Sequence, residues 1–391
     1  MLAKFKIQLL ALLCLFQLPV VYSTEINAFN QSFAKQVHSK LVQLSVPGGA
    51  YAIVKSGKVI AIETFGHTDK SKQQAVNEQT IFRLASVSKT FAATITTMLA
   101  QERSLDLSDP VTKYVPNFKL AVPNAAEQIQ LKHLLSHSSG LMPNAYDNLL
   151  HENWNLTKII KRFDRVSPIC QPAKCYGYQN IAYALVQPAI EASQTKSFNT
   201  LVQERIFEPL NMENASVGIK PYISEKNVAK PHILIKRVKT GQKTADGKDI
   251  KKHIWRTVKV KPDFYKVAPA AGVNASISDL AKWLIANLGY QPKVLSEALL
   301  TELTTPRIKT KRDLKKRYWR EYLTDAHYGY GWRIYQFQDF PIIYHSGWVA
   351  GFRADIGYSP DLDIGFALLL NAETNATSKI STDFWSQAKQ I

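Results

Sequence analysis

The hydropathy pattern of this chain predicts a mixed α/β (α+β) fold, an antiparallel sheet flanked by terminal helices with a mostly helical segment inserted into it. Three observations carry that expectation. Apolar residues at helical spacing open the chain at about 26–43 and close it from about 377; a hairpin pattern follows the first helix; and strand-like segments crowd the C-terminal part, while helical periodicity dominates from about 84 to 215. With 391 residues, 46% of them hydrophobic, the chain can bury a large core and divide into two or three units. The expected division is a signal peptide at 1–23, an α/β domain from 24–83 and 265–391, and an inserted mostly α domain at 84–264.

Lys4 and Lys6 precede an apolar run at 7–16, and Val21-Tyr22-Ser23 offers small residues near a cleavage point, the pattern of a secretory signal. The apolar core is shorter than the ~20 residues a membrane span needs. A lipid anchor on Cys14 is disfavoured by bulky Leu13. The expectation is therefore an exported protein, periplasmic in a cell with two membranes. Removal of the signal leaves Cys170 and Cys175, a close pair that an oxidising compartment would let form a disulfide.

Along the mature chain, Phe29, Phe33 and Val37 recur every four residues as one apolar helical stripe. Ala50 to Val54 and Val59 to Ile62 then flank Lys55-Ser56-Gly57-Lys58, which reads as two strands and a tight turn. Phe91, Ile95, Met98 and Leu99 share a helical face. Residues 220–262 alternate lysine with Ile, Val and Trp around Ala245-Asp246-Gly247-Lys248, an exposed basic hairpin, and Ser278-Asp279 is suited to cap the next helix. Residues 327–337, 342–344, 352–358 and 364–370 read as strands, with Ser359-Pro360-Asp361 as a turn.

The formal charge of +18 favours an anionic neighbour: nucleic acid, a phospholipid surface or an acidic envelope polymer. Export argues against nucleic acid. The basic run from Lys309 to Arg320 accordingly reads as a solvated face or a point of attraction for envelope polymer. His133 and His137 share a helical spacing, but the residues between them lack the glutamate of H-E-x-x-H, so they read as structural rather than zinc ligands.

The chemistry-bearing signal is Ser86-Val87-Ser88-Lys89, set just before the helical stripe of Phe91 and Ile95. It puts a hydroxyl and an ammonium on one face at a helix start, where backbone N–H groups favour developing negative charge. Alone it is weak, since serine is a common cap. Tyr178-Gln179-Asn180 and His345-Ser346-Gly347 follow it in order.

Together these three resemble the S-x-x-K, Y-x-N and K/H-[ST]-G motifs of the serine β-lactamase and penicillin-binding superfamily, with class C β-lactamases and D-alanyl-D-alanine carboxypeptidases as the nearest likeness. The stretches 82–91, 107–111 and 133–140 look like family segments as well. The resemblance implies a β-lactamase-like fold, an acyl-enzyme on Ser86, and proton transfer shared by Lys89 and Tyr178, the phenol being lowered by the neighbouring ammonium. It further implies Asn180 as a hydrogen-bond partner of substrate and Lys89, and an oxyanion hole from the N–H groups of Ser86 and Trp348.

The third motif departs from class C, which usually has lysine where His345 stands. An imidazolium there would assist a substrate carboxylate; in the alternative, neutral His345 donates a hydrogen bond and Arg353 supplies the charge, with Ser346, Gly347 and Trp348 lining the substrate. A literal Lys239-Thr240-Gly241 lies in the basic hairpin and reads as a turn. The expected activity is class C-type β-lactam hydrolysis without metal or organic cofactor, on a β-lactam or D-alanyl peptide. The alternatives are a D-alanyl-D-alanine carboxypeptidase or esterase, and a non-catalytic protein that binds anionic envelope polymer. Oligomeric state is not readable from the sequence.

Overall fold

The structure is a computed structural model that describes residues 26–71, 73–243 and 247–391; the expected signal segment lies outside the described residues. Residues 26–43 form the first helix. Strands β1 (Gly48–Lys55) and β2 (Lys58–Gly66) follow as the expected hairpin, turning through Ser56 and Gly57, both at positive φ. That handedness matches the twist of the flanking strands.

Short strands β3 (Phe82–Arg83) and β4 (Ser216–Val217) belong to the middle of the chain, and β5 (His232–Lys243) with β6 (Asp249–Thr257) makes the basic hairpin. β7 (Val273–Ala275) pairs with both β3 and β4. The C-terminal part supplies β8 (Ile308–Lys309), β9 (Leu323–Tyr328), β10 (Arg333–Phe337), β11 (Phe340–Val349), β12 (Phe352–Ser359) and β13 (Ile364–Leu370). Eight strands build one antiparallel sheet in the order β2-β1-β13-β12-β11-β10-β9-β8, so the two ends of the chain meet where β1 pairs with β13.

Both faces of this sheet are covered, which is why its central strands read as near-continuous apolar runs. On one face Tyr51, Ile53, Phe366 and Leu368 meet Phe29, Phe33 and Val37 of the first helix and Phe384 of the last, Ala376–Gln387. Phe33 lies edge-on to Tyr51, Phe366 and Phe384. Each such buried aromatic stabilises by roughly 1.5–3 kcal/mol. On the other face Ala52, Val54, Ala367 and Leu369 join the core of the helical region, with helix Ile277–Ile285 packed on β1 and β13.

The helix Ser88–Gln101 is buried on every side through Leu99. Three of its threonines stay satisfied there because Thr90, Thr94 and Thr96 donate to backbone carbonyls a turn earlier. Phe91 stacks on Trp283 at 4.4 Å and locks this helix to Ile277–Ile285.

Three local expectations are corrected. The stretch 327–337 is not one strand but β9 and β10 joined by a tight reversal, with Gly331 at φ +74° and a position where a Cβ would lie 2.5 Å from the Lys89 carbonyl oxygen. The helix expected to start at Ser278 is capped by Ser276, whose hydroxyl accepts from Asp279 N while the Asp279 carboxylate accepts from Ser276 N. Lys239-Thr240-Gly241 lies within β5, where Gly241 at φ +81° accompanies a register shift, and is not the turn of the hairpin.

Candidate active site

Ser86 sits in a single 3-10 turn, Ala85–Val87, that runs directly into helix Ser88–Gln101. Within 81–90 it is the one residue that is not buried. The preceding residue, Ala85, has φ +49°, a conformation that costs a non-glycine residue on the order of 1 kcal/mol and aims the serine outward. Neighbouring β11 supports the turn. It pairs with β10 only as far as Tyr344, yet with β12 as far as Val349, leaving one edge open towards Ser86. At this edge Gly347 admits no side chain: a Cβ would fall 2.2 Å from the Leu84 carbonyl oxygen.

Lys89 is completely buried. Its Nζ lies 3.5 Å from Ser86 Oγ and donates to Asn180 Oδ1 at 2.7 Å and to the Ala270 carbonyl at 3.0 Å. Asn180 Nδ2 in turn donates to Asp147 Oδ2 at 2.7 Å, which fixes the amide so that its oxygen faces the lysine. Asn180 is thus the first residue of helix Asn180–Ala184 and its side chain is committed to the site. Burial drives the Lys89 ammonium well below its usual range, opposed by Asp147 and reinforced by Arg333.

Tyr178 is half-buried, with its ring centroid 4.7 Å from Lys89 Nζ and 4.2 Å from the His137 ring. The expectation that its phenol is lowered is corrected. Burial pushes it up to about 12, and the pull of Arg333 and of a hydrogen bond with Ser86 does not offset this. The loop bearing Tyr178 is closed by a Cys170–Cys175 disulfide. It is also tied to 137–140 through Ile169 N to Gly140 O at 2.8 Å, Ala173 N to Ser138 O at 2.7 Å and Gly177 N to His137 O at 2.8 Å.

His345 is in the site but is not a free cation. It is fully buried; its Nδ1 donates to the Ser346 carbonyl at 3.0 Å, so Nε2 accepts from Tyr328 Oη at 2.9 Å and from Arg333 Nη1 at 3.3 Å. Burial holds the imidazole well below its usual range, reinforced by Arg333, Lys89 and His137. The ring is thus turned to Tyr328 and the Arg333 guanidinium, and burial together with that cation disfavours an imidazolium aimed at a substrate carboxylate. Nor is Arg353 its partner: that guanidinium donates to Asn375 Oδ1 at 3.1 Å and lies 4.6 Å from the ring of Trp348, which is 60% exposed. Ser346, Gly347 and Trp348 form the rim of β11.

The cation that the sequence reading missed is Arg333. It is buried at the start of β10, bonded to Asp313 at 3.2 Å and 5.5 Å from the Tyr178 ring. Asp147 was missed in the same way, and His137, which reads as structural in the sequence, packs its ring against that of Tyr178. Among the described residues, no group of three or more His, Cys, Asp or Glu could hold a metal, and no helix is long and apolar enough to cross a membrane.

Two buried neutral imidazoles have a thermodynamic consequence. The unfolded state takes up protons on His137 and His345 below pH ~6.5, whereas the folded state resists them, so stability falls as pH drops through that value. Thermal unfolding from pH 7.5 to 5.5 is expected to show the fall, and His345→Gln to reduce its slope.

The sheet joins both ends of the described chain, and a serine stands at a helix start with a buried lysine–asparagine pair beside it. Residues 29–386 match the model of the Beta-lactamase family, and the chain belongs to that family. It is 25% identical over 363 residues to a protein named Beta-lactamase from Escherichia coli (strain K12), covering 84% of this chain and 85% of that one. It is 24% identical over 362 residues to Protein flp of Staphylococcus aureus (strain N315), covering 90% of this chain and 65% of the relative. The octameric penicillin-binding protein homologue from Pyrococcus abyssi superposes with a TM-score of 0.75 at 25% identity, over 91% of this chain and 76% of that one.

Proposed function

We propose that the protein is a serine hydrolase acting through an acyl-enzyme on Ser86, with β-lactam hydrolysis of the class C type as its first activity. The observation that carries this reading is the buried Lys89. A neutral amine has two N–H groups, and here both are engaged, by Asn180 and Ala270, which leaves the lone pair for the Ser86 hydroxyl. Lys89 Nζ, 3.5 Å from Ser86 Oγ, then takes the proton as Oγ attacks the carbonyl carbon. The N–H groups of Ser86 and Trp348 receive the oxyanion. Tyr178, a neutral phenol beside Ser86, gives its proton to the departing nitrogen and regains one from Lys89. A water then hydrolyses the ester.

D-alanyl-D-alanine carboxypeptidase or esterase action is the second reading, favoured by His345 where class C enzymes usually carry lysine. Export remains part of the proposal; a Cys170–Cys175 bridge suits an oxidising compartment. Intact mass followed over time after penicillin addition tests the function. We expect a transient adduct; a long-lived one would favour the peptidase. Mass unchanged by both penicillin and an activated ester would overturn the acyl-enzyme.

A further inference from the structure

The cleft in front of Tyr178 encloses about 1140 Å³ and is bounded by the disulfide loop, by residues of 308–316, by Arg333 and by Trp348. The basic run that reads as a solvated face in sequence is therefore a wall of the cleft. It is held rigidly: β8 pairs with β9, Thr310 N donates to Ala326 O at 2.8 Å, and Asp313 N donates to Thr310 O at 2.8 Å.

Its charges are not balanced. Asp313 is the one carboxylate in the lining, and it is buried and shared by Arg333 at 3.2 Å and Lys316 at 2.7 Å. Among the described residues no carboxylate pairs with Lys174, Lys311, Arg312 or Lys315, which also line the cleft and are exposed. Like charges gathered along one cleft repel one another, and an anion entering it would offset that repulsion. Exposed Trp348 adds an apolar wall, and Tyr178, which hydrogen-bonds with Ser86, links the cleft to the nucleophile.

We propose that the substrate acylating Ser86 carries a multiply anionic tail, of carboxylates or phosphates, which lies along this cleft against Lys174, Lys311, Arg312 and Lys315. The inference rests on the acyl-enzyme reading of Ser86 and adds the substrate class.

The test uses peptide thioesters identical at the scissile bond and differing in a tail of three glutamates, three phosphoserines or three glutamines, placed on the acyl or the leaving side. At low salt kcat/KM is expected to be at least about tenfold higher for an anionic tail than for the glutamine tail, and the gap to close at high salt. Comparing glutamate with phosphoserine distinguishes the two anions. The combined variant Lys311→Gln, Arg312→Gln, Lys315→Gln should lose the preference and keep turnover of the glutamine substrate. Equal rates for all tails at low salt, or a preference that survives the triple substitution, would overturn the inference. Absence of turnover of every thioester would count against the acyl-enzyme instead. Fluorescence anisotropy of the same tails on Ser86→Ala then reads the cleft directly: salt-sensitive binding lost in the triple variant upholds the anion site, and absence of binding overturns it.

Discussion

Ser86→Ala is expected to abolish covalent labelling by penicillin and to lower turnover by on the order of 10⁶, the scale seen when a covalent nucleophile is removed. The reason is geometric. Ser86 is the one residue in its turn that reaches solvent, and its Oγ is the hydroxyl that faces Lys89 Nζ. Losing an oxygen from a half-buried side chain should leave the fold within about 0.5 kcal/mol of the parent. Intact mass and thermal unfolding on the same preparation check both statements. Retained labelling with an unchanged melting curve would place the nucleophile elsewhere.

Lys89→Ala should slow acylation by roughly 10² to 10⁴, the range for loss of a positioned proton acceptor. The pH profile is more telling than the rate. Because a general base must be unprotonated, acylation by the parent should rise with pH through the lowered pKa of Lys89 and then level off. Had Tyr178 been the base, the rise would continue to about pH 12, where its phenol ionises. In Lys89→Ala the low limb should vanish. Stopped-flow acylation across pH on both proteins decides between the two groups, and an unchanged limb in the variant would rule out Lys89. The loss also strands Asn180 Oδ1 and the Ala270 carbonyl without their donor, so the rates must be read against folded protein.

What the sequence shows of this site is what lies in short, ordered patterns. Ser86, Lys89, Tyr178 and Asn180 stand in segments whose local structure, a helix start and a loop entering a helix, is written in the neighbouring residues. The terminal helices and the sheet were legible for the same reason, since Phe29, Phe33 and Val37 share a helical stripe and β13 is an unbroken apolar run.

Arg333 and Asp147 follow no such pattern. Each reaches the site because a distant segment folds over it: Arg333 comes after a reversal packed on Lys89, and Asp147 meets Asn180 from 33 residues away. The charge of His345 was illegible because it depends on Arg333 and Tyr328, which surround it only in three dimensions. Likewise the basic run at 309–316 resembles any solvated stretch until β8 pairs with β9 and turns it towards Tyr178.

The loop between Cys170 and Cys175 encloses so few residues that its closure can stabilise the fold by only roughly 2 kcal/mol. Three main-chain hydrogen bonds, from Ala173 within the loop and from Ile169 and Gly177 on either side of it, hold this segment against 137–140 without any help from sulfur. Oxidation therefore secures the arrangement of Tyr178 rather than creating it. Material made in the reducing cytosol of a bacterial host, with both thiols free, should present the same constellation as material folded in an oxidising space, differing in its tolerance of heat and not in its chemistry.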